Sequence, residues 1–305
     1  MCCIVVKYLP KFGWIGAKNR DRNYETTIGI TQSNRYETQR LYIDDKLSRW
    51  TEGINEYGIS ILSAAFSVKN DEKEGAKMVK GSHRDRQGYF SPDGRDIREA
   101  LKFKTIKEAI DHLIKAELAG ATFIFNQEQC FLLEGGFNVK KSKSTKENPR
   151  EYFYHIKEIK KKDGHCVRTN HGIDLPNLGY QPNSDTAEGK KARKSSEERY
   201  KVVVTNITNV REPRDLLKAM SDQPNKDTFM NPIRTGNPDK KDMVTTGQLL
   251  IVPKTRTLHY RPIESKIDFE YNKINHPEAK TFFEIISSRS LLTFLEYFKP
   301  PCDMI

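Results

Sequence analysis

A chain of 305 residues with 36% hydrophobic content can bury a full core, which excludes disorder throughout and suits one large domain or two small ones. The formal net charge of +11 points toward an anionic partner. No segment approaches the roughly 20 apolar residues of a membrane span and no basic-then-apolar run marks a secretory signal, so a cytosolic protein with no membrane partner is expected.

In chain order, the first half reads as strands at 3–8, 13–17, 26–31 and 40–43, then an apolar strand at 58–68. A helix is expected at 105–118. Thr105 and Glu108 form a capping box, Ile106, Ala109, Ile110, Leu113 and Ile114 recur at helical spacing, and Gly120 gives the stop. Strands return at 122–126 and 130–134 as a hairpin across Gln127-Glu128-Gln129, and 151–159 continues the sheet. The polar stretch 178–194 has little apolar periodicity and reads as a long loop. Helices are expected at 195–204 and 213–220, strands at 248–252 and 257–261 across Pro253-Lys254-Thr255, a strand at 267–271 and a helix at 277–287. With no internal repeat and no linker, this describes one domain, 1–305, with basic insertions near 138–150 and 178–194. Helices between blocks of antiparallel strands indicate an α+β layered domain, and no glycine-rich phosphate motif follows a strand.

The positive excess is concentrated in 138–164 and 189–199, which read as solvated lysine faces. No helix-turn-helix, zinc-finger or RNA-recognition signature accompanies them, so a nucleic-acid partner rests on charge alone. The five cysteines show neither framework spacing nor a C-x-x-C pair, which indicates neither disulfides nor structural zinc.

The feature that carries chemistry is Cys2. Removal of Met1, expected before so small a side chain, would leave a thiol nucleophile and an α-amine on one residue. With a pKa of about 7.7–8.0 that amine is partly neutral near pH 7 and can accept the thiol proton. The plainer reading makes Cys2 the first residue of a buried strand in the apolar run Cys-Cys-Ile-Val-Val. Four patterns bear on the choice. A hairpin return would bring Lys18-Asn19-Arg20-Asp21 beside residue 2, where Asp21 could hold the amine and Lys18 or Arg20 favour the thiolate. Asn55-Glu56-Tyr57-Gly58 reads as a tight turn between strands. Asn170, in Thr169-Asn170-His171, sits at a strand end where its amide could donate to an oxyanion. Arg199 projects from a helix start at Ser195-Ser196.

The order and spacing of these motifs resemble the N-terminal-nucleophile (Ntn) cysteine hydrolases of the choloylglycine hydrolase and penicillin acyltransferase type, over residues 1 to about 200. The resemblance implies a four-layer αββα sandwich, two stacked antiparallel sheets between helix layers. It also implies cleavage of a non-peptide or peptide-like amide through a thioester, with no metal or organic cofactor. Carried over, Cys2 would be nucleophile and, through its amine, base; Asp21 would position the amine; Asn170 would serve the oxyanion site; Arg199 would tune the thiolate. Lys18, Asn19, Arg20, Asn55 and His171 would support them. Two departures stand out. Lys18 occupies the family's arginine position, and Ala65 falls where the family often presents an oxyanion-hole asparagine.

The leading expectation is therefore a cysteine amidohydrolase, with acyl transfer as its close variant, acting on a small-molecule or polymer-attached amide, anionic to suit the charge. The alternative is a binding or trafficking protein on the same fold, since a second set of N-terminal-cysteine proteins also carries Asn-Arg-Asp. Class II glutamine amidotransferases share the cysteine, but no synthetase domain is present here. Cys-His catalysis through His171 is weaker than a turn role for that residue. Trp14, Phe66 and Tyr180 read as core or anchor residues before acyl-pocket ones.

Overall fold

The computed structural model describes residues 2–24, 26–33, 38–46, 48–66, 92–137, 152–176, 178–179, 187–236, 242–263, 265–269 and 295–297. In chain order the elements are β1 (Cys2–Leu9), β2 (Gly13–Arg22), β3 (Thr26–Ser33), β4 (Arg40–Asp45), β5 (Thr51–Asn55), β6 (Ser60–Ala64), α1 (Pro92–Ala100) and α2 (Ile106–Lys115). They continue with β7 (Gly120–Phe125), β8 (Cys130–Phe137), β9 (Tyr152–Glu158), β10 (His165–Arg168), α3 (Ala187–Ile207), α4 (Pro213–Ala219), β11 (Val244–Val252), β12 (Thr257–Pro262), β13 (Ser265–Phe269) and β14 (Leu295–Tyr297).

The strands form two sheets, ordered β10-β1-β2-β11-β12-β14 and β13-β3-β4-β5-β6-β7-β8-β9. Among the described residues, all pairings are antiparallel except that of the edge strand β13, which runs parallel to β3. Alternation along each strand sends successive side chains into different layers. Ile4, Val6 and Trp14 of the first sheet meet Ile43, Leu62, Phe123 and Phe125 of the second. On the outer face of the first sheet, Val5, Ile15 and Leu250 pack on Val203, Ile207 and Leu216 of α3 and α4. On the outer face of the second, Ile61, Ile124 and Leu133 pack on Ile97, Ile110 and Leu113 of α1 and α2. The result is the four-layer αββα sandwich expected from the sequence. Trp14 and Phe66 lie in its central layer, and Tyr180 falls outside the described residues.

The capping box of α2 forms as expected: Glu108 N–H donates to Thr105 Oγ1 (3.2 Å), and Thr105 N–H to Glu108 Oε2 (3.0 Å). The helix turns out at Glu117, whose φ of 54° takes the left-handed region, while Gly120 instead opens β7. The loop expected at 178–194 is helical from Ala187 onward. The buried face of α3 runs through Gly189, Ala192, Ser195, Ser196, Arg199, Val203 and Ile207, so its first half carries no apolar stripe although its composition suits a helix. Lys190, Lys191 and Lys194 lie on its exposed side. The expected helix at 277–287 and the lysine-rich stretch 138–150 lie outside the described residues. Among the described residues, no helix is long and apolar enough to cross a membrane.

Candidate active site

β1 and β2 pair with Cys2 opposite Arg20 and Cys3 opposite Asn19. Because strand side chains alternate, β2 splits a charged sequence between two layers. Lys18, Arg20 and Arg22 enter the space between the sheets together with the Cys2 thiol, whereas Asn19 and Asp21 face the α3–α4 layer.

Between the sheets, Glu52 of β5 receives both Lys18 Nζ and Arg20 Nη1, and all three side chains are fully buried. Lys18 Nζ also donates to the Ser63 carbonyl (2.6 Å). Arg22 Nε donates to Asp45 Oδ2 (2.9 Å), which also accepts from Tyr24 Oη (2.8 Å). Arg22 Nη1 donates to the Asp21 carbonyl (2.8 Å) and lies 3.7 Å from Cys2 Sγ. Three cations thus face two carboxylates, and a thiolate at Cys2 would balance the set. Burial pushes the Cys2 thiol up, but Lys18, the N-terminal ammonium and Arg22 pull it down further, to about 7. Cys3, one residue on and facing the opposite layer, is pushed up to about 12 by burial.

On the helix side, Asp21 accepts from Thr245 Oγ1 (2.8 Å) and pairs with Arg199 (3.4 Å) and Arg234 (3.3 Å). Arg199 spans the site. Its Nη1 donates to the Cys2 carbonyl (3.2 Å) and its Nη2 to Asn170 Oδ1 (2.9 Å). Asn170 Oδ1 also accepts from Cys2 N (3.1 Å), the atom that becomes the α-amine if Met1 is removed. Since Arg199 can only donate, its contact fixes which end of the Asn170 amide faces Cys2. The other end, Nδ2, donates to the Ala65 carbonyl (2.7 Å). The turn presenting Asn170 is held from two sides. Its own N–H donates to Ser196 Oγ (2.9 Å), and Glu134 accepts from the Asp174 and Leu175 N–H groups (3.0 and 2.9 Å) and from Arg168 Nε (2.7 Å).

The fold thus gathers Cys2, Lys18, Arg20, Asp21, Asn170 and Arg199 into one network. Three other expected residues take bracing positions. Asn19 donates to the Met220 and Pro232 carbonyls (both 2.8 Å) and accepts from Gln248 Nε2 (3.0 Å), pinning the helix layer to the sheet. Asn55 closes its own turn by accepting from Tyr57 and Ile59 N–H groups, and donates to Leu101 and Phe103 carbonyls. His171 Nδ1 lies 2.7 Å from Ser196 Oγ, and burial followed by the Arg193 charge lowers its pKa to about 4. It is a neutral prop for the Asn170 turn. Sequence reasoning missed Glu52, Asp45, Arg22, Thr245 and Arg234. The signal available was three cations at i, i+2 and i+4 of one strand, which share a face and require buried acids opposite.

The site is a cysteine at the start of a central strand of an αββα sandwich, with its nitrogen, carbonyl and sulfur each engaged by a separate polar group. No family model and no curated protein matches the chain. Among solved structures, the chain is similar to penicillin V acylase from Agrobacterium tumefaciens, with a TM-score of 0.43 and 11% identity over 86% of this chain and 83% of that one. It is also similar to two variants of conjugated bile acid hydrolase from Clostridium perfringens. Their TM-scores are 0.43 and 0.42, with 12% identity each, over 87% and 86% of this chain and 90% of each of theirs.

Proposed function

We propose that this chain is a cysteine N-terminal-nucleophile amidohydrolase whose nucleophile is Cys2 after removal of Met1. In this reading the α-amine, oriented by Asn170 Oδ1, takes the thiol proton, and Sγ bonds to the amide carbonyl carbon. The C–N bond breaks, the departing amine leaves with that proton, and a thioester remains. Water then adds, giving its proton to the α-amine, and the acid and free thiol are released. An amine acceptor in place of water makes the same thioester an acyl-transfer intermediate. Asp21 acts through Arg199, which braces both the Cys2 carbonyl and Asn170. The net charge favours an anionic small-molecule or polymer-attached amide, and a cytoplasmic setting suits the mechanism.

The observation that carries the proposal is the arrangement at Cys2: its nitrogen is held by Asn170 Oδ1 (3.1 Å), its carbonyl by Arg199 Nη1 (3.2 Å), and its sulfur lies 3.7 Å from Arg22 Nη1, whereas the neighbouring Cys3 thiol packs in the opposite, apolar layer. The 4% exposure of Cys2 favours a second reading, a binding or trafficking protein that keeps the fold without turnover. Intact mass before and after limiting iodoacetamide, with the modified peptide located by fragmentation, separates the two. The proposal expects loss of Met1 and selective labelling at Cys2, rising through pH 7, with none in Cys2→Ala. Retained Met1, or equal labelling of Cys3, Cys130, Cys166 and Cys302, supports the second reading and rules out the first.

A further inference from the structure

By the resemblance drawn from the sequence, an oxyanion amide would be expected at position 65, where this chain has Ala65 with no side-chain donor, so the negative charge developing on a carbonyl attacked by Cys2 needs another donor. The polar groups around the thiol differ in what they have left to give. Lys18 and Arg20 are both held by Glu52, the one Arg20 nitrogen without a hydrogen-bond partner, Nε, being fully enclosed, and Asn170 Nδ2 holds the Ala65 carbonyl. Arg22 is otherwise disposed. Asp45 fixes its Nε edge (2.9 Å), the Asp21 carbonyl fixes Nη1 (2.8 Å), and Nη2 has no hydrogen-bond partner among the described residues. Of the three cations on this face it alone has an open side, at 12% exposure against none for Lys18 and Arg20.

We infer that Arg22 is the oxyanion donor of this site, acting where the side-chain amide is missing at Ala65. The inference rests on Cys2 being the nucleophile as proposed above. An oxyanion one carbon away from Sγ falls within reach of a guanidinium whose Nη1 is already 3.7 Å from that sulfur. The same fixed charge serves the thiolate before attack and the oxygen after it, so the attack requires no reorientation of the side chain. A planar fork held along one edge by Asp45 keeps the opposite edge for the reacting atoms.

Two reactions at the same sulfur test this. Alkylation by iodoacetamide passes through no oxyanion; acylation by p-nitrophenyl acetate does. In Arg22→Gln, the rate of acyl-Cys2 formation, followed by peptide mass, should fall by about 10²–10³. Alkylation, corrected for thiolate fraction from its own pH profile, should stay at the wild-type level. Arg22→Lys, which keeps the charge without the fork, should fall between and provides the comparison if the Gln variant does not fold. An equal fall in both reactions would reduce Arg22 to an influence on the thiolate and overturn the inference, as would no fall in either. A wild-type Cys2 inert to both reagents would instead overturn the nucleophile reading on which the inference rests.

Discussion

Glu52→Gln takes one negative charge out of the space between the sheets while leaving the side-chain volume almost unchanged, so its effect isolates electrostatics from packing. In the wild type a single carboxylate serves Lys18 and Arg20, and none of the three side chains is exposed. Asp45, 3.8 Å from Arg20, is already shared with Arg22 and cannot replace it. Removing one partner of a buried pair costs about 3–5 kcal/mol. Two pairs are lost here, but the cost does not double, because Lys18 can release its proton; burial already lowers its pKa. That escape has a signature. A lysine whose folded pKa lies below its unfolded value binds fewer protons when folded, so stability rises with pH above the folded pKa. The deficit of Glu52→Gln should therefore be about 3–5 kcal/mol at pH 7 and narrow toward pH 10. Urea unfolding followed by fluorescence of the two tryptophans, Trp14 and Trp50, both buried, and by far-ultraviolet circular dichroism would measure it, with coincident transitions supporting a two-state treatment. A loss below about 1 kcal/mol, or a deficit constant with pH, would refute the buried-charge account.

Further expectations concern the supports of the site. His171, with a folded pKa of about 4 against 6.5 for the free side chain, contributes stability that is present above pH 6.5 and lost as the pH falls toward 4. The loss amounts to about 3 kcal/mol. His171→Gln should flatten the stability profile in that window, and an unchanged slope would exclude His171 as its source. Gly94 lies in α1 where an added Cβ would come 1.7 Å from the Arg49 carbonyl oxygen, a backbone atom. Gly94→Ala should therefore lower stability by about 1–3 kcal/mol even though alanine is the better helix former by about 1 kcal/mol. A thermal melt showing stabilisation would mean that α1 shifts freely on the sheet.

Period-two alternation and turn residues made most of the strands legible in the sequence, and the capping box with its apolar stripe located α2. The elements left unread share a physical cause. α1 offers few apolar positions, chiefly Ile97 and Ala100. The first half of α3 buries glycine, alanine and serine, so hydrophobic periodicity has nothing to register. At the site, the hairpin return was enough to bring 18–22 to residue 2, because antiparallel pairing across a short connection is local. Glu52 and Asp45 were not legible as partners, since the stacking of one sheet on another is not encoded in any local pattern. Asn55, singled out by its place in a motif, spends its hydrogen bonds on its own turn and on a helix connection.

The split of β2 between two layers also constrains how this gene can change. Neighbouring codons 18 to 22 specify two chemically unrelated surfaces, one cationic set under the thiol and one amide–carboxylate set under the helices. Loss or gain of a single codon inside the strand would exchange them, setting Asn19 and Asp21 against Glu52 and Asp45 and pressing three cations into the helix layer. An added residue in the short link between Leu9 and Gly13, by contrast, would leave the facing of both strands intact.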